Sequence, residues 1–257
     1  MKANYHTHTK RCHHAKGVER DYVEAAIKNG FQTLGFSEHT PYPFNEEYCT
    51  HMRLGMDELE DYITTVLALK KEYRNDIQLY VGLETEYFPL FFDKLCEQLK
   101  QYPLDYMILS AHFFGDGHRK DRHFYRAEDD DNYLRDYFYQ LATGMNQANF
   151  SYIAHPDILY YTGDYEKWEN YMRTLCKIAN AKQLPLEINF HGILEKRNYP
   201  HEAFWKIAGE EQCQVVFGVD AHDPKELECE PQYEKAMELV KKYNLHLLEE
   251  LELKKPF

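Results

Sequence analysis

None of the six cysteines (Cys12, Cys49, Cys96, Cys176, Cys213, Cys229) forms a CxxC pair, which argues against a structural zinc site built on thiolates. A chain of 257 residues is too large to need disulfide staples, so reduced thiols are expected. Only Cys12, beside a cluster of histidines, has a second reading as a thiolate ligand. Also missing is any apolar run near the roughly 18 residues of a membrane span, so no membrane partner is expected. The opening MKANYHTH lacks the apolar core and small-residue cleavage site of a secretory signal, and the expected location is the cytoplasm. Positive charge is short too: 30 Lys and Arg against 43 Asp and Glu give a formal net charge of −13. That surface repels polyanions, so no nucleic-acid partner is expected. A small anionic substrate can still enter a pocket that carries its own positive charge, and metal ions would supply it. Repeats, low-complexity stretches and Gly/Ser linkers are absent, so one domain over residues 1–257 is expected.

What is present is alternation. Runs rich in apolar and β-prone residues at 33–39 (TLGFSEH), 78–87 (QLYVGLETEY), 106–113 (YMILSAHF), 152–156 (YIAHP), 185–189 (PLEIN) and 215–222 (VVFGVDAH) predict strands. Segments with helical spacing lie at 18–29, 56–74, 91–101, 130–148, 165–183, 200–211 and 231–243, with Asp57 as a start signal for the second and Gly30 as a stop for the first. With the opening ANYHTH this makes seven βα units. The predicted class is α/β, a single-domain (β/α)7 TIM-like barrel of parallel strands, with an open doubly wound sheet as the alternative. The polar, turn-rich segment 115–132 (GDGHRKDRHFYRAEDDDN) breaks the rhythm and predicts a long loop after the fourth strand, at the end where barrel loops carry function.

Metal-binding side chains recur at the C-terminal ends of the predicted strands: His6 and His8, Glu38 and His39, Glu84 and Glu86, His112, His155, then Asp220 and His222. Residues two apart on a strand face the same side, so His6 and His8 share one target, as do Asp220 and His222. A lone HxH is more simply two histidines on a half-exposed strand. In a barrel, however, strand ends converge, and without metal such a crowd of buried polar groups would cost several kcal/mol. Imidazole with carboxylate oxygen suits Zn, Mn or Fe, and the number of ligands exceeds what one tetrahedral ion takes.

HTHT near the start, His14-Ala, FSEHTP (36–41), GLETEY (82–87), SAHF (110–113), AHPD (154–157) and GVDAH (218–222) together resemble the motif series of the PHP (polymerase and histidinol phosphatase) superfamily, in order along almost the whole chain. LEIN (186–189) followed by GILEKRNYP resembles its histidinol-phosphatase branch. The resemblance implies a distorted seven-stranded barrel holding three divalent metal ions. His6, His8, Glu84 and Asp220 would hold the first; Glu84, shared as a bridge, with His112 and His155 the second; His14, His39 and His222 the third. The family places one ligand six positions after the second histidine of HxH and before a small residue, which selects His14, with His13 as the alternative. His51, His118, His123, His191, His201 and His246 are read as ordinary surface or core imidazoles, His118 and His123 less firmly because of their loop. Glu38 is expected to face away from His39, Glu86 to support a ligand, and Asp157 to orient or cap.

The implied reaction is phosphomonoester hydrolysis, histidinol phosphate and water giving histidinol and inorganic phosphate, by attack of a metal-bridging hydroxide. Glu84, Asp220 and His222 are the expected catalytic residues, the last two as candidates for protonating the alcohol. Arginine matches phosphate oxygens with its planar fork. Arg197 occupies a phosphate-contacting position of the resembled enzymes, and Arg119, Arg122 and Arg126 are looser candidates. The substrate's cationic head wants a carboxylate, for which Glu86 and Asp129–Asp131 are candidates. The SAHF motif leads here into the long FGDGHRKDRHFY rather than a short Trp-containing turn, so the pocket can be remodelled. The alternatives are a PHP phosphoesterase for another small phosphorylated metabolite or phosphotyrosine, an amidohydrolase-type C–N hydrolase, and a non-enzymatic metal-binding protein. The C–N hydrolase reading lacks the fourth-strand lysine that commonly bridges its metals: this chain has ILSAHF there.

Overall fold

Strands and helices alternate along the chain in the computed structural model, which describes residues 1–43, 52–115 and 123–257. The order is β1 (Ala3–Asn4), α1 (Glu19–Lys28), β2 (Thr33–His39), α2 (Leu59–Glu72), β3 (Gln78–Glu86), α3 (Phe92–Leu99), β4 (Tyr106–Ser110), α4 (Asp131–Gly144), α5 (Tyr165–Ala181), β5 (Leu186–Asn189), α6 (Phe190–Leu194), α7 (Glu202–Glu210), β6 (Gln214–Gly218), α8 (Glu230–Tyr243) and β7 (His246–Leu247). Strands pair in parallel in two sheets, β1-β2-β3-β4 and β5-β6-β7. Register sets His39 beside Glu84 and Glu86 beside Ser110, so the chemistry-bearing ends of β2, β3 and β4 share one edge.

Several expected strands are shorter than the pattern implied: β4 ends at Ser110, β6 at Gly218, and two others barely form. Segment 152–156 forms no ladder of its own: it is joined to the sheets by isolated bridges at Ile153, to Leu109 on one side and Leu186 on the other, with Tyr152 O and Ala154 N bonding to Leu109. Pairing stops there because His155 adopts a left-handed backbone (φ 29) and Pro156 has no N–H to give. The opening strand leaves the ladder after Asn4, and only Thr7 pairs again, bridging Ala221 beyond β6. Isolated bridges thus join the four-stranded and three-stranded sheets at both flanks. The helices fall where the spacing placed them, except that α2 starts at Leu59 after Glu58, not at Asp57. Gly30, at φ 78, does end α1. α6 and β7 were not visible in the sequence pattern. α6 springs directly from β5 because the Asn189 side chain accepts from Gly192 N at 3.2 Å.

One apolar cluster packs helices against the sheets, including Leu34, Phe36, Leu79, Val81, Leu83, Met107 and Leu109 from β2, β3 and β4. A second and smaller one is made of Ala3, Tyr5, Tyr106, Ile108, Tyr152, Ala154 and Val216, residues of the opposite strand parity, which therefore occupy the concave face. Tyr106 organises this inner layer, its hydroxyl donating to the carbonyls of Tyr5 (2.7 Å) and Phe36 (3.0 Å). Its ring lies over β2 and β3, where a Cβ on Gly35 would come 2.4 Å from its oxygen and one on Gly82 2.4 Å from its ring. Among the described residues no helix is long and apolar enough to cross a membrane.

Candidate metal centre

Asn4 turns the chain at the end of β1. Its amide donates to His6 O (3.0 Å) and Thr7 Oγ1 (2.8 Å), and its oxygen accepts from His6 N (3.2 Å) and Val219 N (2.9 Å). These bonds replace ladder bonds lost after β1 and bring the rings of His6 and His8 together, Nε2 to Nε2 at 3.1 Å. On β3, alternation puts Gly82, Glu84 and Glu86 on the concave face, and Glu84 becomes the hub. Its Oε1 lies 2.9 Å from His155 Nε2, 3.3 Å from His112 Nε2 and 3.6 Å from His6 Nε2. Its Oε2 lies 2.8 Å from His39 Nδ1 and 3.4 Å from His8 Nε2.

Asp220, in a left-handed backbone (φ 54) just past β6, brings Oδ1 to 3.2 Å from His8 Nε2 and 3.4 Å from His6 Nε2. His14 and His222 face each other, Nε2 to Nε2 at 2.9 Å, and His112 and His155 at 3.2 Å. His14 is oriented by Nδ1 against Cys12 O (2.8 Å) and His222 by Nδ1 against Asp220 O (2.9 Å), so both Nε2 atoms are aimed at the cluster. His13, in contrast, sits in a left-handed turn (φ 66) with Nε2 directed at Glu58 Oε2, 3.9 Å away.

The donor set has the chemistry of a divalent-metal centre. Three pairs of imidazole nitrogens, with lone pairs to place, face each other at hydrogen-bond distance. Glu84 Oε2 is buried and near His39 yet has no hydrogen-bond partner. One potential ligand atom each from His14, His39 and His222 lies within 4.8 Å of the other two; the same holds for His6, His8 and Glu84, and for His39, Glu84 and His112. Cys12 also falls near His8 and His222. However, its thiol donates to Thr9 O at 3.1 Å, and burial, with Glu38 nearby, pushes its pKa far up, which favours the protonated thiol over a thiolate ligand.

Protonation follows how many carboxylates surround each ring rather than the distance to any one of them. Burial pulls every imidazole towards its neutral form. Around His6 burial is outweighed by Glu187, Asp220 and Glu84, which hold the ring well above its usual range. At His8 it is outweighed by hydrogen bonds to Asp220 and Glu38 and the charge of Glu84, giving about 9. For His39 and His222 burial wins, reinforced by His8, and both lie well below their usual range; burial drives His112 down to about 3. Glu84 and Asp220, against their own burial, are kept well below the ordinary carboxylate range by the surrounding histidines.

Some supporting residues were missed in the sequence, while others hold the supporting places expected of them, Glu86 behind His112 and Asp157 at the start of α7. Glu187 and Asn189, alternate polar residues on the otherwise apolar β5, sit beneath the cluster, and that alternation was the available signal. Glu86 accepts from His112 N (2.6 Å) and pairs with Arg53, so it is fully buried and not free for a cationic substrate. Asp131 is likewise engaged, with Lys167 Nζ and Tyr161 Oη each at 2.5 Å, and Asp130 caps α4. Glu38 accepts from Thr9 N (2.7 Å) and Oγ1 (2.6 Å). Asp157 accepts from Trp205 Nε1 and His201 N, both at 2.7 Å, and burial pushes its carboxyl up to about 7.

A cavity of about 110 Å³ adjoins the cluster, bounded by His14, His39, His112, His155, Asp220 and His222 and also by His123, Tyr125, Ile158, His191, Arg197 and Tyr199. His123 and His191, read as ordinary imidazoles, are therefore cavity residues. His123 gets there by pairing antiparallel with Phe113; His191 because α6 begins at once after β5. His201 packs on Trp168 (ring centroids 4.9 Å apart) and exposed His246 lies in β7. Arg197 Nη1 lies 3.4 Å from Tyr199 Oη, with its guanidinium 5.7 Å from the Tyr125 ring centre. Arg126 is exposed and outside the cavity lining, while Arg119, Arg122, His51 and His118 lie outside the described residues. A wider hollow of about 370 Å³ near Asn146, Lys182 and Lys254 is lined by no histidine, cysteine or carboxylate, so it offers no competing chemistry.

The chain is similar to several known proteins. The chain is 28% identical over 230 residues to a probable histidinol-phosphatase of Deinococcus radiodurans, covering 86% of each. It is 37% identical over 119 residues to the histidinol-phosphatase of Bacillus subtilis, covering 44% of each. Its fold matches the crystal structure of histidinol phosphate phosphatase from Lactococcus lactis, which was complexed with zinc, L-histidinol and phosphate, with a TM-score of 0.76 at 22% identity over 96% of this chain and 95% of that one. The family model for the PHP domain matches residues 4–191, and the chain belongs to the PHP domain family.

Proposed function

We propose that this chain is a metal-dependent phosphomonoesterase whose substrate is histidinol phosphate, releasing histidinol and inorganic phosphate. The observation that carries the reading is the convergence of His6, His8, His14, His39, Glu84, His112, His155, Asp220 and His222 beside a cavity that also holds Arg197. The named relatives support the choice of substrate. The bridges at Ile153 and at Thr7–Ala221 support a distorted barrel of seven staves, acting as one domain over residues 1–257.

Three divalent ions would fit the donor set: His6, His8, Glu84 and Asp220 would hold one, Glu84, His112 and His155 a second, and His14, His39 and His222 a third. When bound, such ions supply an acidified water and positive charge opposite the phosphoryl oxygens. The remaining work belongs to the chain. Arg197 binds phosphate oxygens through its planar fork, braced by Tyr199 and the face of Tyr125. Asp220, ionised in its resting state, accepts a proton from the attacking water and returns it to the departing alcohol oxygen. His222 keeps Nδ1 on Asp220 O and so holds that loop in place.

A panel of phosphate monoesters that includes histidinol phosphate, assayed before and after chelation, tests this. The expected result is selective turnover of histidinol phosphate, lost on chelation and restored by divalent metal. Turnover of histidinol phosphate no faster than that of the other esters would overturn the substrate assignment.

A further inference from the structure

Glu187 is the buried group on which the cluster rests; it lies in the LEIN motif, which the ligand assignment leaves without a role. Its Oε1 accepts from His6 Nδ1 at 2.7 Å, and its Oε2 accepts from the backbone N of His155 at 2.9 Å. Asn189 Nδ2, two residues along the same strand, donates to Glu187 Oε2 (2.9 Å) and to Asp220 Oδ2 (3.1 Å). Side chains from β5 thus touch three candidate ligands that lie on three other segments, after β1, after β4 and after β6. The local backbone has been shaped around this carboxylate: a Cβ on Gly218 would stand 1.8 Å from Glu187 Oε1, so only glycine lets it pass.

The consequence for His6 is chemical. A ring that donates Nδ1–H to a carboxylate has its lone pair on Nε2, and Nε2 is the atom that faces His8, Glu84 and Asp220. The consequence for His155 is conformational. Its left-handed backbone (φ 29) is a position a side-chain-bearing residue rarely adopts, and the bond from its N–H to Glu187 helps hold it.

Resting on the metal-centre reading above, we infer that Glu187, with Asn189, is a positioning residue that sets the tautomer of His6 and the backbone of His155 together, so that its loss weakens two metal positions at once rather than one. The Gln side chain fills the same space but replaces one acceptor oxygen by a donor, which makes Glu187→Gln the informative variant.

The test is titration of the metal-stripped protein with Zn²⁺ against a competing chelator, for the unaltered chain and Glu187→Gln, with ions bound per chain counted and folding followed by circular dichroism. The expected result is a folded variant in which two of the zinc-binding steps weaken by about 10–100-fold, the range for loss of a carboxylate behind a ligating histidine. Affinities equal to those of the unaltered chain, or weakening of one step alone, would overturn the inference. Failure of the unaltered chain to take up zinc would instead sink the metal-centre reading. Should Glu187→Gln not fold, nitrogen-15 NMR of the zinc-loaded unaltered chain decides. A His6 imidazole protonated at Nδ1 is expected, and one protonated at Nε2 overturns the proposal.

Discussion

At the scale of single residues, Arg197 and Asp157 contrast a group that borders the cavity and meets solvent with one sealed from both. Arg197 borders the cavity with its charge open to an incoming anion. Hydrogen bonds to charged groups contribute about 1.5–3 kcal/mol, so Arg197→Ala should lower kcat/KM for histidinol phosphate by roughly 10–100-fold, measured by phosphate release with the metal content unchanged. Asp157 titrates differently. Its carboxyl is raised from 3.8 to about 7, so the folded chain keeps this proton over a range in which the unfolded chain has released it. Its stabilising contribution is therefore full below pH 3.8 and is lost as pH rises through about 7. Asp157→Asn should flatten the dependence of Tm on pH between 4 and 7 and raise Tm relative to the unaltered chain at pH 8, read by thermal scans. The candidate ligands were legible because their polar atoms stand at strand ends. Glu187, His123 and His191 were not, since their roles depend on neighbours far away along the chain.

At the scale of the element, β3 shows how a strand serves two purposes through alternation. Leu79, Val81 and Leu83 belong to the packing against helices, while Gly82, Glu84 and Glu86 face inward. Gly82 has no side chain because Tyr106 occupies the space. Adding a methyl group there forces a buried ring to move, and overpacking of this kind costs about 1–3 kcal/mol. Gly82→Ala should lower the urea midpoint accordingly, with the slope of the transition unchanged, in the metal-loaded protein. Strands β2 to β5 were legible because apolar and β-branched residues mark them. The 152–156 segment was legible as apolar but not as irregular, since a left-handed His155 leaves no mark in composition. α6 was hidden for a related reason: its cap, Asn189, reads equally well as the end of a strand.

For the whole molecule, the governing feature is charge gathered at one place. In the metal-free protein the carboxylates Glu84, Glu187 and Asp220 keep protons on His6, and Glu84 and Asp220 help keep one on His8. His8, raised to about 9, contributes stability that is full below pH 6.5 and is lost as pH rises through 9. Metal takes the place of those protons and binds only the folded chain, so it should stabilise more as they leave. The increment in Tm on adding Zn²⁺ or Mn²⁺ to chelated protein is thus expected to grow between pH 7.5 and 9, by differential scanning fluorimetry. An increment that shrinks across that interval would count against proton displacement at His6 and His8.

The amino-acid sequence alone determined the alternation of strand and helix, the recurrence of metal-binding side-chain types at strand ends and the family, because periodicity and motif order are local properties of a chain. Tertiary structure decided which imidazole nitrogens face one another, that Glu187 and Asn189 underlie three separate segments, that Glu86 is taken up by Arg53, and that His123 and His191 border the cavity. These are matters of distance between residues remote in sequence, set by strand register, by the left-handed turns at His155 and Asp220, and by the close approach that Gly82 and Gly218 allow.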